Sequence, residues 1–184
     1  MNARDDLIRT TQALLSTQGY ESTSPRDIQH QSGIGQGSFY HHFESKADLA
    51  SAALQALAAQ MCAEFDELTN HVGADQIDAY LGVDRDELAG CRIGRITMEA
   101  SIGDERIREP VGTYFFHLRE RLTSAFEQLD TPIDSAALAD LTIAAVQGGF
   151  VVARATNDPD ALKHATSALS ALITSLTPRR EKQL

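Results

Sequence analysis

The helix punctuation between residues 24 and 43, SPRDIQHQSGIGQGSFYHHF, restricts this chain more than any other stretch. Ser24 can cap a helix start, Pro25 suits the first helical position, and Asp27 stands where a carboxylate reaches back to the cap. Ile28 gives the short helix so begun an apolar anchor, and Ser32-Gly33 ends it, because glycine enters the left-handed region without steric cost. Ile34 then plugs the turn, and a second helix opens after Gly35. Phe39 and Phe43, four residues apart, share one face of that helix; Gln36, Gly37, Ser38, Tyr40 and His41 fall on the other. Two short helices, a tight turn and a small, polar outer face predict a helix-turn-helix. Its second helix is shaped to lie in a DNA groove.

The longer run GIGQGSFYHHFESKADL, behind an amphipathic helix over residues 4–18, resembles the DNA-binding head of TetR-type transcriptional regulators. Tyr40, His41 and Phe43, then Ser45-Lys46 and Leu49, match that family's signature in order and spacing. The resemblance implies an all-α fold of about nine helices. A helix-turn-helix DNA-binding head at 1–48 would precede a helical ligand-binding and dimerisation body at 49–184. It also implies a transcriptional regulator, most often a repressor in such families, released from a double-stranded DNA operator by a small-molecule inducer.

Charge qualifies this reading. The chain of 184 residues has a net charge of −10. Residues 1–50 hold only Arg4, Arg9, Arg26 and Lys46 against Asp5, Asp6, Glu21, Asp27, Glu44 and Asp48. Nonspecific DNA binding needs cations that displace counterions, so a nucleic-acid coat protein is excluded and weak nonspecific affinity is expected. A site-specific reader survives, since a few placed donors and helix N-termini can hold phosphates. Two cysteines make no disulfide framework, and the polar start MNARDDLIRTT is unlike a signal peptide. No apolar run approaches the length of a membrane span, and a cytoplasmic protein is expected.

Along the chain, Leu7, Ile8, Leu14 and Leu15 stripe the first helix, which Gly19 stops. A fourth helix is predicted from Ser45, with a second capping pattern, to about His71. Residues 75–88 read as a fifth helix, Cys91–Ile102 as a sixth and Glu105–Leu129 as a seventh, with Pro110 obscuring where the seventh starts. The eighth, Asp134–Thr156, carries a stripe of Leu138, Leu141, Thr142, Ala145, Val146, Gly149, Val152 and Ala153 and a second edge of Ile143, Phe150 and Val151. Asn157-Asp158-Pro159 breaks it, and a ninth helix runs from Asp160 with a stripe of Leu162, Ala165, Leu169, Leu172, Ile173 and Leu176. The tail from Pro178 is expected to fray.

For DNA, Gln36 and Ser38 are the expected base readers and Gly37 allows close approach. Tyr40, His41 and Lys46 are expected on phosphates, and Thr23, Ser24 and Arg26 on the backbone opposite. In the family the last two helices pair with their copies, which implies a homodimer through about 134–156 and 160–177. The segment Gly90-Cys91-x-x-Gly94 with Glu99, and later Gln147-Gly148-Gly149-Phe150, Ala153-Arg154 and Asp158-Pro159, resembles one subgroup of the family. Two readings of that segment compete. In one it lines an inducer pocket with Phe65, Ile93, Met98, Tyr114, Phe115, Leu118 and Phe150 as wall and Arg92, Arg95 or His117 as polar anchors. In the other, Cys91 is a redox or electrophile sensor, a thiol at a helix start beside arginines. No phosphate loop, nucleophile elbow or metal-ligand spacing is present, so neither an enzyme nor a metal or cofactor is expected.

Overall fold

The computed structural model describes residues 2–177. Among them are eight α-helices, two short 3-10 helices and no β-strand. The α-helices are α1 (Ala3–Gln18), α2 (Pro25–Ser32), α3 (Gln36–His42), α4 (Lys46–Leu68), α5 (Ala74–Leu81), α6 (Glu105–Phe126), α7 (Ser135–Thr156) and α8 (Asp160–Leu176). The 3-10 helices are Gly94–Met98 and Ala100–Gly103. The expectation for the tail from Pro178 lies outside the described residues.

Local signals set most boundaries. The Asn2 side chain accepts the Arg4 N–H at 2.7 Å to start α1, and Gly19 at φ +86° ends it. Ser24 and Asp27 form a reciprocal box before α2: the Asp27 N–H donates to Ser24 Oγ at 3.2 Å and the Ser24 N–H to Asp27 Oδ2 at 2.8 Å. Gly33 at φ +69° stops that helix. Ser45 caps α4 by accepting the Asp48 N–H at 3.2 Å, and Asp134 caps α7 by accepting the Ala137 N–H at 2.9 Å. Asn157, at φ +54°, ends α7 in the left-handed region that asparagine tolerates.

The chain packs as two units: residues up to Cys62 with Cys91–Phe115, and Ala63–Gly90 with residues from Phe116 onward. Both α4 and α6 therefore pass from one unit into the other. In the first unit Leu7, Leu14, Ile28, Phe39, Phe43 and Leu49 form one buried cluster, with Ile8, Ile34 and Ala52 packed against it. Full burial of a side chain such as Phe39 contributes roughly 1.5–3 kcal/mol, so this cluster holds α1, α2 and α3 on the start of α4.

In the second unit α7 and α8 lie along each other. A Cβ added at Gly149 would fall 2.5 Å from Leu162 Cδ1 and 3.1 Å from Leu162 Cα, so glycine permits the approach. Leu138, Thr142, Val146, Phe150 and Ala153 of α7 and Leu162, Leu169 and Ile173 of α8 are buried. Against α8, α5 is fixed where the Ser170 hydroxyl donates to Asp78 Oδ1 at 2.8 Å.

Several expectations are corrected. The sixth helix, predicted over Cys91–Ile102, is instead a turn and the two 3-10 helices, divided by Glu99 in an extended conformation. Gly90 at φ +82° leads into the segment, where the Ile96 N–H donates to the Ile93 carbonyl at 3.2 Å and the Glu99 N–H to the Ile96 carbonyl at 3.1 Å, closing 3-10 turns in place of α-turns. The fifth helix ends at Leu81, α4 at Leu68 and α6 at Phe126, each short of the predicted limit. Pro110 lies inside α6, which starts at Glu105. On α7 and α8, Leu141, Val152 and Leu172 leave the inward stripes and are exposed. By length and composition α7 is also apolar enough to cross a membrane, a property the sequence reading missed because Asp140 and Arg154 interrupt the run.

Candidate nucleic-acid interface

The buried aromatic pair orients α3. Phe39 is fully buried and Phe43 is 7% exposed, while Tyr40, between them in sequence, is 51% exposed. The Tyr40 ring meets Phe39 edge-on at 5.0 Å, and the Arg4 guanidinium lies 5.4 Å from the Phe43 ring centre. Gln36, Gly37 and His41 are exposed beside Tyr40, with Ser38 half-buried. His42 is half-buried, its ring 5.0 Å from that of His41. The helix thus presents an amide, a backbone without side chain, a phenol and an imidazole on one outward row. That row can hydrogen-bond base edges and phosphates.

On the α2 side Arg26 is exposed, and Ser24 is half-buried with its hydroxyl inside the capping box, donating to Asp27 Oδ2 at 2.6 Å. That hydroxyl and the Ser24 N–H hold the Asp27 carboxyl below the ordinary carboxylate range.

Two residues expected on phosphates are occupied within the fold. Thr23 is 1% exposed and its hydroxyl donates to the Gly19 carbonyl at 2.6 Å. The Lys46 ammonium donates to the carbonyls of Tyr20 and Thr23, both at 2.8 Å, and sits 3.8 Å from the Tyr20 ring centre. Burial pulls the Lys46 pKa down despite the nearby carboxylates of Glu99 and Glu21, and burial pushes the Tyr20 phenol up. Both residues brace the connector between α1 and α2. Three further braces had no local sequence signal because their partners lie dozens of residues away. Arg95 donates to the Thr17 carbonyl, Glu99 accepts from the Tyr20 and Glu21 N–H groups, and Arg106 reaches Asp48 at 3.2 Å.

The expected pocket residues are distributed over both units. In the first unit Ile93 is fully buried, Tyr114 is buried, Arg92 and Phe115 are half-buried, and Met98 is 79% exposed, so Met98 is no part of an enclosed wall. Arg95 is a brace on α1. In the second unit Phe65, Leu118 and Phe150 are buried, and His117 Nε2 lies 3.1 Å from Asp66 Oδ1. Asp66 also receives the Arg121 Nε at 3.0 Å. An open cleft of about 650 Å3 in this unit, between the end of α5 and α8, is lined by residues including Asp78, Arg85 and Lys163, and by none of the expected pocket residues. Cys91 is half-buried in a turn, its Sγ accepting the Gly94 N–H at 3.2 Å. The α-helix start invoked for a reactive thiol is absent there.

An outward polar row on a short helix, pinned by buried rings within an all-helical chain, defines a helix-turn-helix DNA-binding protein. Residues 7–53 match the family described as bacterial regulatory proteins, tetR family. Residues 50–168 match the transcriptional regulator LmrA/YxaF-like C-terminal domain. The chain belongs to the TetR family of DNA-binding transcriptional regulators. It is 25% identical over 187 residues, 88% of each chain, to an uncharacterized HTH-type transcriptional regulator in the lacX 3' region of Lactococcus lactis subsp. lactis. The HTH-type transcriptional repressor KstR2 of Mycolicibacterium smegmatis is 36% identical over 52 residues, 28% of this chain and 25% of that protein. A TetR transcriptional regulator from Chloroflexus aurantiacus J-10-FL superposes with a TM-score of 0.83 at 29% identity, covering 95% of this chain and 96% of that one.

Proposed function

We propose that the protein is a cytoplasmic repressor that binds its operator as a homodimer and is released by a small molecule held in the C-terminal body. The observation that carries the DNA-reading part is the outward row of α3, with Tyr40 half-exposed over buried Phe39. Gln36 and Ser38 read base edges, Gly37 admits the groove wall, Tyr40 and His41 hold phosphates, and Arg26 with the start of α2 grips the backbone opposite. The repressor named KstR2, similar over 52 residues, supports the sign of regulation.

For dimerisation the support is the outer face of α7. Ala137, Leu141, Ala144, Gly148, Val151 and Ala155 are exposed at alternating four- and three-residue spacing, and Ala168, Ala171 and Leu172 are exposed on α8. Small and apolar side chains in such a row suit a helix pair, and two copies would set two α3 helices about 34–36 Å apart on one DNA face. An inducer that binds the DNA-free state better than the operator-bound state shifts the population off DNA, with α4 passing the change to the head. Tyr40→Ala tests the reading. Binding to DNA flanking the protein's own gene, followed by fluorescence anisotropy, is expected to vanish while the circular dichroism spectrum stays that of the parent. Wild-type binding by Tyr40→Ala refutes the assignment of α3.

A further inference from the structure

Glu99 stands between the two 3-10 helices, and its carboxylate reaches the connector between α1 and α2 within the same packing unit. Oε2 accepts the Tyr20 and Glu21 N–H groups, each at 3.0 Å, and the Ser101 hydroxyl at 3.2 Å. Two consecutive backbone N–H groups thus converge on one carboxylate oxygen. A Cβ added at Gly19 would fall 1.8 Å from Glu99 Oε1, so a side chain there would be strained at φ +86° and would push the carboxylate off the connector. From the other side Lys46 takes the Tyr20 and Thr23 carbonyls. The connector is therefore held at its N–H groups by an anion and at its carbonyls by a cation. It leads directly into Ser24 and Arg26.

We propose that Glu99 is a positioning residue for operator binding. By fixing the Tyr20–Glu21 backbone it sets the N-terminal end of α2, and with it Arg26, against the DNA phosphates. The segment carrying Arg95, Glu99 and Arg106 is thereby tied to the phosphate grip. This rests on the operator-binding reading above. Charge alone predicts the opposite sign, because removing a carboxylate from a chain of net charge −10 favours a polyanion.

The test measures operator affinity of the full chain by fluorescence anisotropy between about 50 and 200 mM salt. Glu99→Ala is expected to weaken binding by on the order of tenfold and to flatten the log–log salt dependence by about one phosphate contact. Arg26→Ala is expected to do the same, and the double variant to be no worse than either single one. A wild-type salt slope in Glu99→Ala with only a lowered melting temperature, tighter binding, or an additive double variant overturns the proposal. If Glu99→Ala does not fold or binds too weakly to give a slope, Glu99→Gln carries the test. Its weaker acceptor is expected to shift the slope the same way by less, and a wild-type slope overturns the proposal. Tyr40→Ala runs as control: binding that survives in that variant sinks the operator reading itself rather than the role of Glu99.

Discussion

Gly37 is a glycine the fold does not need. A Cβ added there meets nothing within 4 Å, and its φ is not positive. Glycine in a helix costs up to about 1 kcal/mol relative to alanine, and the proposed close approach of DNA to α3 gives Gly37 a use that would offset it. Gly37→Ala is expected to raise the melting temperature slightly and to weaken operator binding; unchanged affinity in a binding titration removes the close-approach argument. Gly19, at a positive φ, and Gly149, pressed against the Leu162 backbone, are the opposite case. Thr23 and Lys46 show why residue type alone leaves a role open. A hydroxyl and an ammonium suited to a phosphate are equally suited to the carbonyls of Gly19, Tyr20 and Thr23, and only the path of the connector brings those carbonyls within reach.

Among the elements, α2 and α4 depend on paired serine and aspartate caps. Hydrogen bonds from Ser24 hold Asp27 below the usual carboxylate range, and the Ser45 hydroxyl, then Arg106, do the same for Asp48. A carboxyl with a depressed folded pKa contributes stability that is full above its unfolded pKa and lost as pH falls through the folded value. Thermal melts are therefore expected to hold steady from neutral pH to about pH 4 and to fall below it, and Asp27→Asn to flatten part of that fall. An unchanged profile in the variant would mean the α2 box adds nothing to the titration. The elements with strong local chemistry, α2, α3, α7 and α8, were legible from caps, glycines and apolar spacing. The segment 91–102 was not, because its apolar residues imitate a helix while Glu99 bonds to the distant connector and Arg95 to the end of α1. Such long-range bonds leave no periodic trace.

At the scale of the whole molecule, a single copy leaves Leu141, Val151, Val152 and Leu172 exposed on α7 and α8. Leu141→Glu is expected to yield a folded monomer in sedimentation equilibrium, with operator affinity lowered because one head reads only a half-site. A dimeric Leu141→Glu of unchanged affinity would move the interface elsewhere. What the sequence determined by itself was the helical class, the helix-turn-helix and the outward row of α3, because caps, glycine breaks and a four-residue aromatic spacing act within a few residues. Only the tertiary structure decided which polar groups remain on the surface, that Thr23 and Lys46 turn inward and that Glu99 holds the connector. Those outcomes depend on atoms brought together from positions as far as 79 residues apart, which no local pattern encodes.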